Sequence, residues 1–139
     1  MSSPVPFSPT ITLLTLGRIW ESEFADALKP LGLTTRKYGL LGHIHRTPGI
    51  SFSELARRSR ITVQSAHSAV ASFVEAGLVD DDTAHAGAAS TLRTTPDCES
   101  LLKSAAEVVT RLDADFADRH PELTEALRSH LQRVMSGTA

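Results

Sequence analysis

The stretch SFSELARRSRITVQSAHSAVASFVEAGLV, residues 51–79, carries the clearest local signals in this 139-residue chain. Ser51 and Glu54 form a capping box, in which the serine hydroxyl and the glutamate carboxylate each bind an unpaired amide at the start of a helix. The sequence therefore predicts a short helix that runs from this box to about Arg58. The segment Ser59-Arg60-Ile61 interrupts it.

A second helix is predicted directly after this interruption. Thr62 caps it, and Gly77 ends it, because glycine accepts the left-handed terminal conformation at little cost. Apolar residues recur at three and four positions and so form one buried stripe; they are Val63, Ala66, Val70 and Phe73. Two short helices at this spacing form a helix-turn-helix, whose second helix usually enters the DNA major groove with its N-terminal end first.

Four polar residues of the second helix lie opposite its apolar stripe, where base edges would be. They are Gln64, Ser65, His67 and Ser68. A glutamine can bind adenine through two hydrogen bonds, and serine or histidine can hydrogen-bond several bases. The sequence therefore predicts these four side chains as the base contacts.

Several short motifs occur in an order and at distances that are typical of one family. They are Leu33-Thr34 with Tyr38 and Leu41, then Ser53-Glu54-Leu55-Ala56, Ile61-Thr62, Gly77-Leu78-Val79 and Thr95-Pro96. On these residues the chain resembles the MarR family of bacterial transcriptional regulators, from about Thr10 to the C-terminus. The resemblance implies a homodimeric winged helix-turn-helix protein, usually a repressor, that is often released from DNA by a small aromatic acid or an oxidant.

The expected fold class is mainly α with a small β-hairpin. Residues 1–9 hold three prolines and are expected to be a flexible arm. By the resemblance, residues 10–33 form a dimerisation helix, residues 34–95 the winged helix-turn-helix DNA-binding lobe, and residues 96–139 the C-terminal dimerisation helices. Thr34 or Thr35 caps the first helix of the lobe, with Tyr38, Leu41 and either Ile44 or His45 facing inward.

The positive charges of the chain concentrate in its middle, although the formal net charge is -2. Between Thr34 and Arg60 there is a single acid, Glu54, against six basic residues, which are Arg36, Lys37, Arg46, Arg57, Arg58 and Arg60. We expect contacts to DNA phosphates from Arg36, Lys37, Arg57, Arg58, Arg60 and Thr62. The alternative is that these cations only solvate helix surfaces.

The predicted wing departs from the family pattern. Leu78-Val79 begins a strand and residues 90–94 alternate as its antiparallel partner, with DDDTAHAGAA between them. Family wings usually carry arginines near the tip, whereas here the acids Asp80, Asp81 and Asp82 occur with His85 alone as a cation. Ser68 also stands where relatives often have arginine. An alternative function is therefore a ligand- or protein-binding module that has the same fold and binds operators weakly or not at all.

The C-terminal third predicts two amphipathic helices. Thr95-Pro96-Asp97 is a strong start signal, and Pro121 restarts a shorter helix that carries apolar residues at helical spacing. The N-terminal helix can cover only part of the apolar stripes of these two helices. A second copy of the chain is therefore expected to bury the rest. The alternative is a closed monomeric bundle.

By the resemblance, a small aromatic or anionic effector would bind between the dimerisation helices and the DNA-binding lobe. Arg18 would supply the counter-charge, with Trp20, Tyr38 and His43 as walls. His43 and His45 are two residues apart on a helix and point to different faces, so metal binding is not expected. Cys98 lies between Asp97 and Glu99, which oppose thiolate formation, so it is expected to be a small buried apolar residue rather than a redox sensor.

Composition bounds the remaining function classes. With 41% hydrophobic and 22% charged residues the chain is long enough for one core. It has no apolar run near the ~18 residues of a membrane span, no signal peptide pattern and a single cysteine, so a cytoplasmic protein without membrane partners is expected. No phosphate-binding glycine loop or catalytic constellation is present, which predicts a non-enzyme without cofactors.

Overall fold

A computed structural model describes residues 4–81 and 92–137. The chain divides into two compact units, Met1–Ala105 and Ala106–Ala139. The first unit contains the helix-turn-helix and its two strands.

Helix α1 spans Pro9–Leu28 and starts one residue before the expected position. Ser8 caps it, with its Oγ accepting a hydrogen bond from the amide of Ile11 at 3.3 Å. Proline at the first helical position suits this start because its missing N–H needs no partner there. A 3-10 turn, Lys29–Leu31, follows the helix, and Gly32 closes it in the left-handed conformation, with φ of 71°.

Helix α2 spans Thr35–Arg46. Of the two candidate caps, Thr34 is the one that acts, because its Oγ1 accepts from the amide of Lys37 at 3.1 Å. Ile44 is buried and His45 is exposed, so the inward position belongs to the isoleucine.

Helix α3 spans Phe52–Ser59 and confirms half of the predicted capping box. The Ser51 Oγ accepts from the amide of Glu54 at 3.1 Å. The other half is wrong: the Glu54 carboxylate turns to the guanidinium groups of Arg57 and Arg58, one helical turn later, instead of back to the start of the helix. An ionised donor makes the stronger hydrogen bond, so the arginines win this competition.

Helix α4, the predicted second helix of the helix-turn-helix, spans Val63–Glu75. Thr62 caps it as expected, and Gly77 follows it with φ of 75°. The buried stripe consists of Ala66, Val70 and Phe73. Val63 is 44% exposed, so its predicted place in the stripe is wrong; it lies at the first residue of the helix, one turn before the packed stretch begins.

The sheet has two short antiparallel strands, β1 Val79–Asp80 and β2 Arg93–Thr94. Val79 lies opposite Thr94, and Asp80 lies opposite Arg93. The second strand was expected from residue 90, and the wing tip was expected between the strands. Asp82, His85 and the rest of the predicted tip lie outside the described residues.

Helix α5 spans Pro96–Arg119 and helix α6 spans Pro121–Met135. The predicted cap at Thr95 is confirmed, because its Oγ1 accepts from the amide of Cys98 at 3.2 Å. The same hydroxyl donates to the carbonyl of Gly77 at 2.7 Å. One side chain thereby joins the end of α4 to the start of α5.

The core of the first unit is formed by α2, α3, α4 and β1, together with residues that flank them. Its fully covered side chains are Leu28, Leu40, Leu41, Ile44, Leu55, Val70, Val79, Leu92 and Cys98. Burying a side chain of leucine size contributes about 1.5 to 3 kcal/mol. The buried side of α4, formed by Ala66, Val70 and Phe73, packs on this core. The opposite side of α4 faces away from the core.

Among the described residues, none of the helices combines the length and the apolar character that a bilayer crossing requires.

Candidate nucleic-acid interface

A groove with a volume of about 500 Å³ separates the first turn of α2 from the outer face of α4. Both helices present polar side chains to it. The lining residues are Thr34, Arg36, Lys37, Leu40, Thr62, Gln64, Ser65, Ser68, Ala69, Ser72 and Phe73. The structure thus brings two predicted phosphate contacts opposite three predicted base contacts, although the two sets lie more than 25 residues apart in the chain.

The α2 side of the groove is positively charged. Arg36 and Lys37 are exposed, and no carboxylate of the described residues lies within 4.0 Å of either. The N-terminus of α2 adds its own partial positive charge at the same place. Two cations in the first turn of a helix are unfavourable for that helix, and a bound anion would offset this cost.

The α4 side of the groove carries side chains that hydrogen-bond without a formal charge. Gln64 and Ser68 are exposed, whereas Ser65 is half-buried. The Ser65 Oγ accepts from the Thr62 Oγ1 at 2.9 Å, and the Ser65 amide donates to that same Oγ1 at 3.0 Å. Thr62, predicted as a phosphate contact, is therefore engaged in capping α4.

His67 has a ring partner that was not predicted. Its imidazole stacks on the Phe52 ring, with centroids 3.8 Å apart and planes inclined by 16°. This contact joins the first residue of α3 to the outer face of α4. The two residues are 15 positions apart on different helices, so neither periodicity nor a local motif could have indicated the pair.

Arg57 and Arg58 share one carboxylate, that of Glu54. The Arg57 Nε donates to Oε2 at 2.9 Å, and its Nη2 binds Oε1; the Arg58 Nε also donates to Oε1, at 2.9 Å. Arg58 is held a second time, by its Nη1 to the Thr47 Oγ1 at 3.0 Å. Hydrogen bonds from Arg57, then from Arg58, lower the pKa of Glu54 to about 2. These two predicted phosphate contacts are therefore partly neutralised within the same chain.

Arg60 differs from its two neighbours on α3. It ends the helix in the left-handed conformation, with φ of 55°, and it is exposed. Within residues 4–81 and 92–137 it makes no ion pair. Of the three arginines around α3, it is the one whose charge is available.

The four predicted pocket residues are distributed over α1 and α2. Arg18 is exposed, whereas Trp20, Tyr38 and His43 are half-buried. The Tyr38 ring meets the Phe24 ring edge-on, with centroids 5.6 Å apart. No contact among the described residues joins Arg18 to Tyr38 or His43, so their common pocket stays a prediction.

His43 has an environment of its own. Its pKa is lowered, first by burial and then by the charges of Arg46 and Arg58. These cations favour the neutral imidazole. His43 would therefore meet a ligand as a hydrogen-bonding group rather than as a charge.

Cys98 is fully buried, as expected. Burial, followed by the charge of Glu99, raises its pKa to about 11. A thiol in this state is neither a nucleophile nor a redox sensor at neutral pH. In the part of the chain that the structure describes, no group of three or more His, Cys, Asp or Glu residues could hold a metal ion.

The family model of the MarR family matches residues 31–87. The HTH-type transcriptional repressor Rv2887 of Mycobacterium tuberculosis is 32% identical over 124 residues, which is 88% of this chain and 87% of the relative. The chain belongs to the MarR family. The agreement extends well beyond the matched segment and confirms the resemblance on which the sequence interpretation relied.

Solved structures of the MarR family confirm the winged helix-turn-helix fold. Rv2887 in complex with DNA superposes with a TM-score of 0.76 at 26% identity, over 93% of this chain and 98% of that chain. Rv2887 in complex with salicylic acid gives a TM-score of 0.69 at 27% identity, over 96% and 98%. MepR of Staphylococcus aureus, at 12% identity and a TM-score of 0.74 over 96% and 100%, shares the fold.

Proposed function

We propose that this MarR family protein is a transcriptional repressor that acts as a homodimer on a pseudo-palindromic operator. The observation that carries the proposal is the groove, in which two cations of α2 that form no ion pair with the described residues face uncharged polar side chains of α4. A DNA strand offers phosphates to the first and base edges to the second. The crystal structure of the relative Rv2887 with DNA supports the same partner for this chain.

Recognition would divide between the two sides of the groove. The N-terminal half of α4 enters the major groove, where Gln64 and Ser68 meet base edges. Arg36, Lys37 and Arg60 contact phosphates and set the orientation of the lobe on the duplex. Repression is steric, because a dimer that covers two half-sites about one helical turn apart excludes polymerase from the same DNA.

The dimer is supported by apolar side chains that a single chain leaves uncovered. On α1 these are Ile11, Leu13, Leu14, Leu16 and Ile19, each at least 40% exposed. On α6 they are Leu123, Leu127, Leu131 and Val134, each at least 38% exposed. Apolar rows of this length are rare on monomers in water and mark association surfaces. A second copy of the chain covers them in our proposal.

A small aromatic acid is the proposed effector. Rv2887 has been crystallised with salicylic acid and with p-aminosalicylic acid. In this chain Arg18 is the proposed counter-charge, and Trp20, Tyr38 and His43 are the proposed walls. The ligand releases DNA only if it binds the non-DNA-binding conformation more tightly than the DNA-binding one. A ligand response that is unchanged in Arg18→Ala would remove Arg18 from this proposal.

The same proposal places the protein among regulators rather than enzymes, in the cytoplasm where its operator is accessible. The relative Rv2887 is named a transcriptional repressor, which supports a regulatory role.

The second candidate is a ligand- or protein-binding module with weak operator binding. The ion pairs that tie Arg57 and Arg58 to Glu54 favour it, because they reduce the charge that α3 can offer to phosphates. Asp80, at the base of the wing, adds an exposed carboxylate. Arg36 and Lys37 favour DNA binding. They outweigh the paired arginines of α3 because they lie directly across the groove from α4.

Fluorescence anisotropy separates the two candidates. The full chain is titrated with duplex DNA from upstream of its own gene and with a scrambled duplex of equal composition, over a range of salt concentrations. Selective binding to the native duplex, with affinity that falls steeply as salt rises, supports the repressor. Equal and weak binding to both duplexes supports the module.

A further inference from the structure

The four residues of α4 that the sequence predicts as base contacts differ in how far their side chains are engaged by other parts of the protein. The Ser65 side chain is engaged by Thr62, since its Oγ accepts a hydrogen bond from the Thr62 hydroxyl at 2.9 Å. Turning Ser65 toward a base edge would give up that hydrogen bond. Its hydroxyl is therefore partly committed within the protein.

His67 is committed to Phe52. The two rings lie nearly parallel with centroids 3.8 Å apart, so one face of the imidazole is covered. Rotation of the ring toward a base would break the stack and lose its favourable contact. This cost lowers the value of His67 as a sequence-discriminating contact.

Gln64 and Ser68 are the two that remain uncommitted. Both are exposed, and within the described residues neither side chain makes a hydrogen bond. Their chemistry differs. A serine hydroxyl is both donor and acceptor and pairs with any base, whereas a glutamine amide places one donor beside one acceptor, which matches N6 and N7 of adenine.

The composition of α4 removes the main competitor of an adenine contact. Guanine is usually recognised by arginine or lysine at O6 and N7. Residues Val63–Glu75 contain neither. Gln64 is the second residue of the helix, in the turn that enters the major groove first.

We propose that Gln64 is the specificity-determining residue of this protein and that it binds one adenine, through N6 and N7, in each operator half-site. This inference rests on the proposed DNA-binding function and goes beyond it by assigning one residue to one base. Ser68 adds contact without discrimination. Phosphate contacts from Arg36 and Lys37 hold the lobe at the position where the amide reaches the base.

The first test selects duplexes from a random-sequence pool with the full chain. We expect one adenine at the same position in both half-sites. In the selected duplex, replacing that adenine by 7-deazaadenine removes N7 and keeps base pairing. Binding of the wild-type protein should weaken by about tenfold or more, since a bidentate pair discriminates by roughly that factor.

Variants at Gln64 and Ser68 test whether Gln64 is the residue that hydrogen-bonds adenine N7. Gln64→Ala should bind the adenine and 7-deazaadenine duplexes equally, and the matched control Ser68→Ala should still discriminate between them. Gln64→Glu should move the selected base from adenine to cytosine, because a carboxylate accepts from cytosine N4. Both positions are exposed, so thermal melts of these variants should match the wild type.

Two other outcomes would contradict the proposal, each at a different level. Selected half-sites without a fixed adenine, or retained discrimination in Gln64→Ala, overturn the assignment of Gln64 while DNA binding stands. Failure of the wild-type chain to enrich any duplex over the scrambled control overturns the proposed function together with this inference.

Discussion

Two pairs of adjacent basic residues, Arg36–Lys37 and Arg57–Arg58, have the same sequence pattern and different surroundings. The first pair opens α2, lines the groove and has no carboxylate among the described residues within ion-pair distance. The second pair shares the carboxylate of Glu54. A count of basic residues along the chain treats the two pairs alike, whereas the electrostatic field toward a phosphate depends on what each guanidinium or ammonium already binds.

The position of Glu54 explains the difference. It stands three residues before Arg57 and four before Arg58, so both guanidinium groups lie above it on one face of α3. The ion pair is solvent-accessible, and such pairs are weak enough to exchange with other partners. A phosphate could therefore displace Glu54 from Arg57, but the net gain is smaller than at a cation that starts without a partner.

The largest effect is expected at the first pair. In the double variant Arg36→Ala/Lys37→Ala a dimer loses four phosphate contacts, each worth about 0.9 in the logarithmic salt slope, so the slope should flatten by about 3.6. Affinity should fall on the order of a hundredfold at moderate salt. Anisotropy titrations measure both, with Arg111→Ala on α5 as a single-charge control outside the lobe. An unchanged slope would mean that the groove does not face DNA.

The next effect has the opposite sign. Glu54→Gln frees Arg57 and removes a negative charge, so DNA affinity should rise by about tenfold and the slope should steepen by up to about 1.8 for a dimer. The matched control is Glu75→Gln, which removes a carboxylate at the end of α4 that makes no ion pair with the described residues. Equal gains in both variants would show a general charge effect and no special role for Glu54.

A smaller effect is expected from Arg57→Ala in the wild-type background. Because Arg57 is already paired with Glu54, its removal should weaken DNA binding only about two- to threefold. In the Glu54→Gln background the same substitution should cost more. A double-mutant cycle on the dissociation constants measures this coupling. Additive effects would contradict the view that Glu54 competes with phosphates for Arg57.

The smallest effect concerns stability and pH. The pKa of Glu54 is lowered to about 2 in the folded chain, against an ordinary value of 4.5. A carboxyl with a lowered folded pKa stabilises the fold above its unfolded pKa and loses that contribution as pH falls through the folded one. The gap in melting temperature between wild type and Glu54→Gln should therefore be constant above pH 5 and shrink between pH 4.5 and 2. Circular dichroism melts measure this gap. A gap that persists at pH 2 would contradict the view that the ionised Glu54 carboxylate is its cause.

Helix starts were largely predictable because each depends on a few neighbouring residues. Thr34, Ser51, Thr62 and Thr95 all cap the predicted helices, with bonds to amides three residues on. A capping hydroxyl needs only the local backbone, so tertiary packing seldom changes it. Gly77 is a similar case, since its left-handed conformation follows from the absence of a side chain.

Competition among side chains was not predictable. Glu54 has two sets of partners within four residues, the amide at the start of α3 and the two arginines, and the sequence pattern alone favoured the wrong one. The Phe52–His67 stack depends on the crossing of α3 and α4. The stack exists only once the two helices have packed, whereas the Glu54 pairing is set within α3 by the spacing of its two arginines.

What the amino-acid sequence determined by itself was the family, the order of helices and strands, their caps, and the exposed positions of Gln64, His67 and Ser68 on α4. These follow from short-range hydrogen bonding and from apolar periodicity, which operate within a few residues. Only the tertiary structure decided which cations lie opposite α4. It placed Arg36 and Lys37 across a groove from Gln64, because residues far apart in the chain meet only when the helices pack. The pairing of Arg57 and Arg58 with Glu54, by contrast, arises from the three- and four-residue spacing within α3.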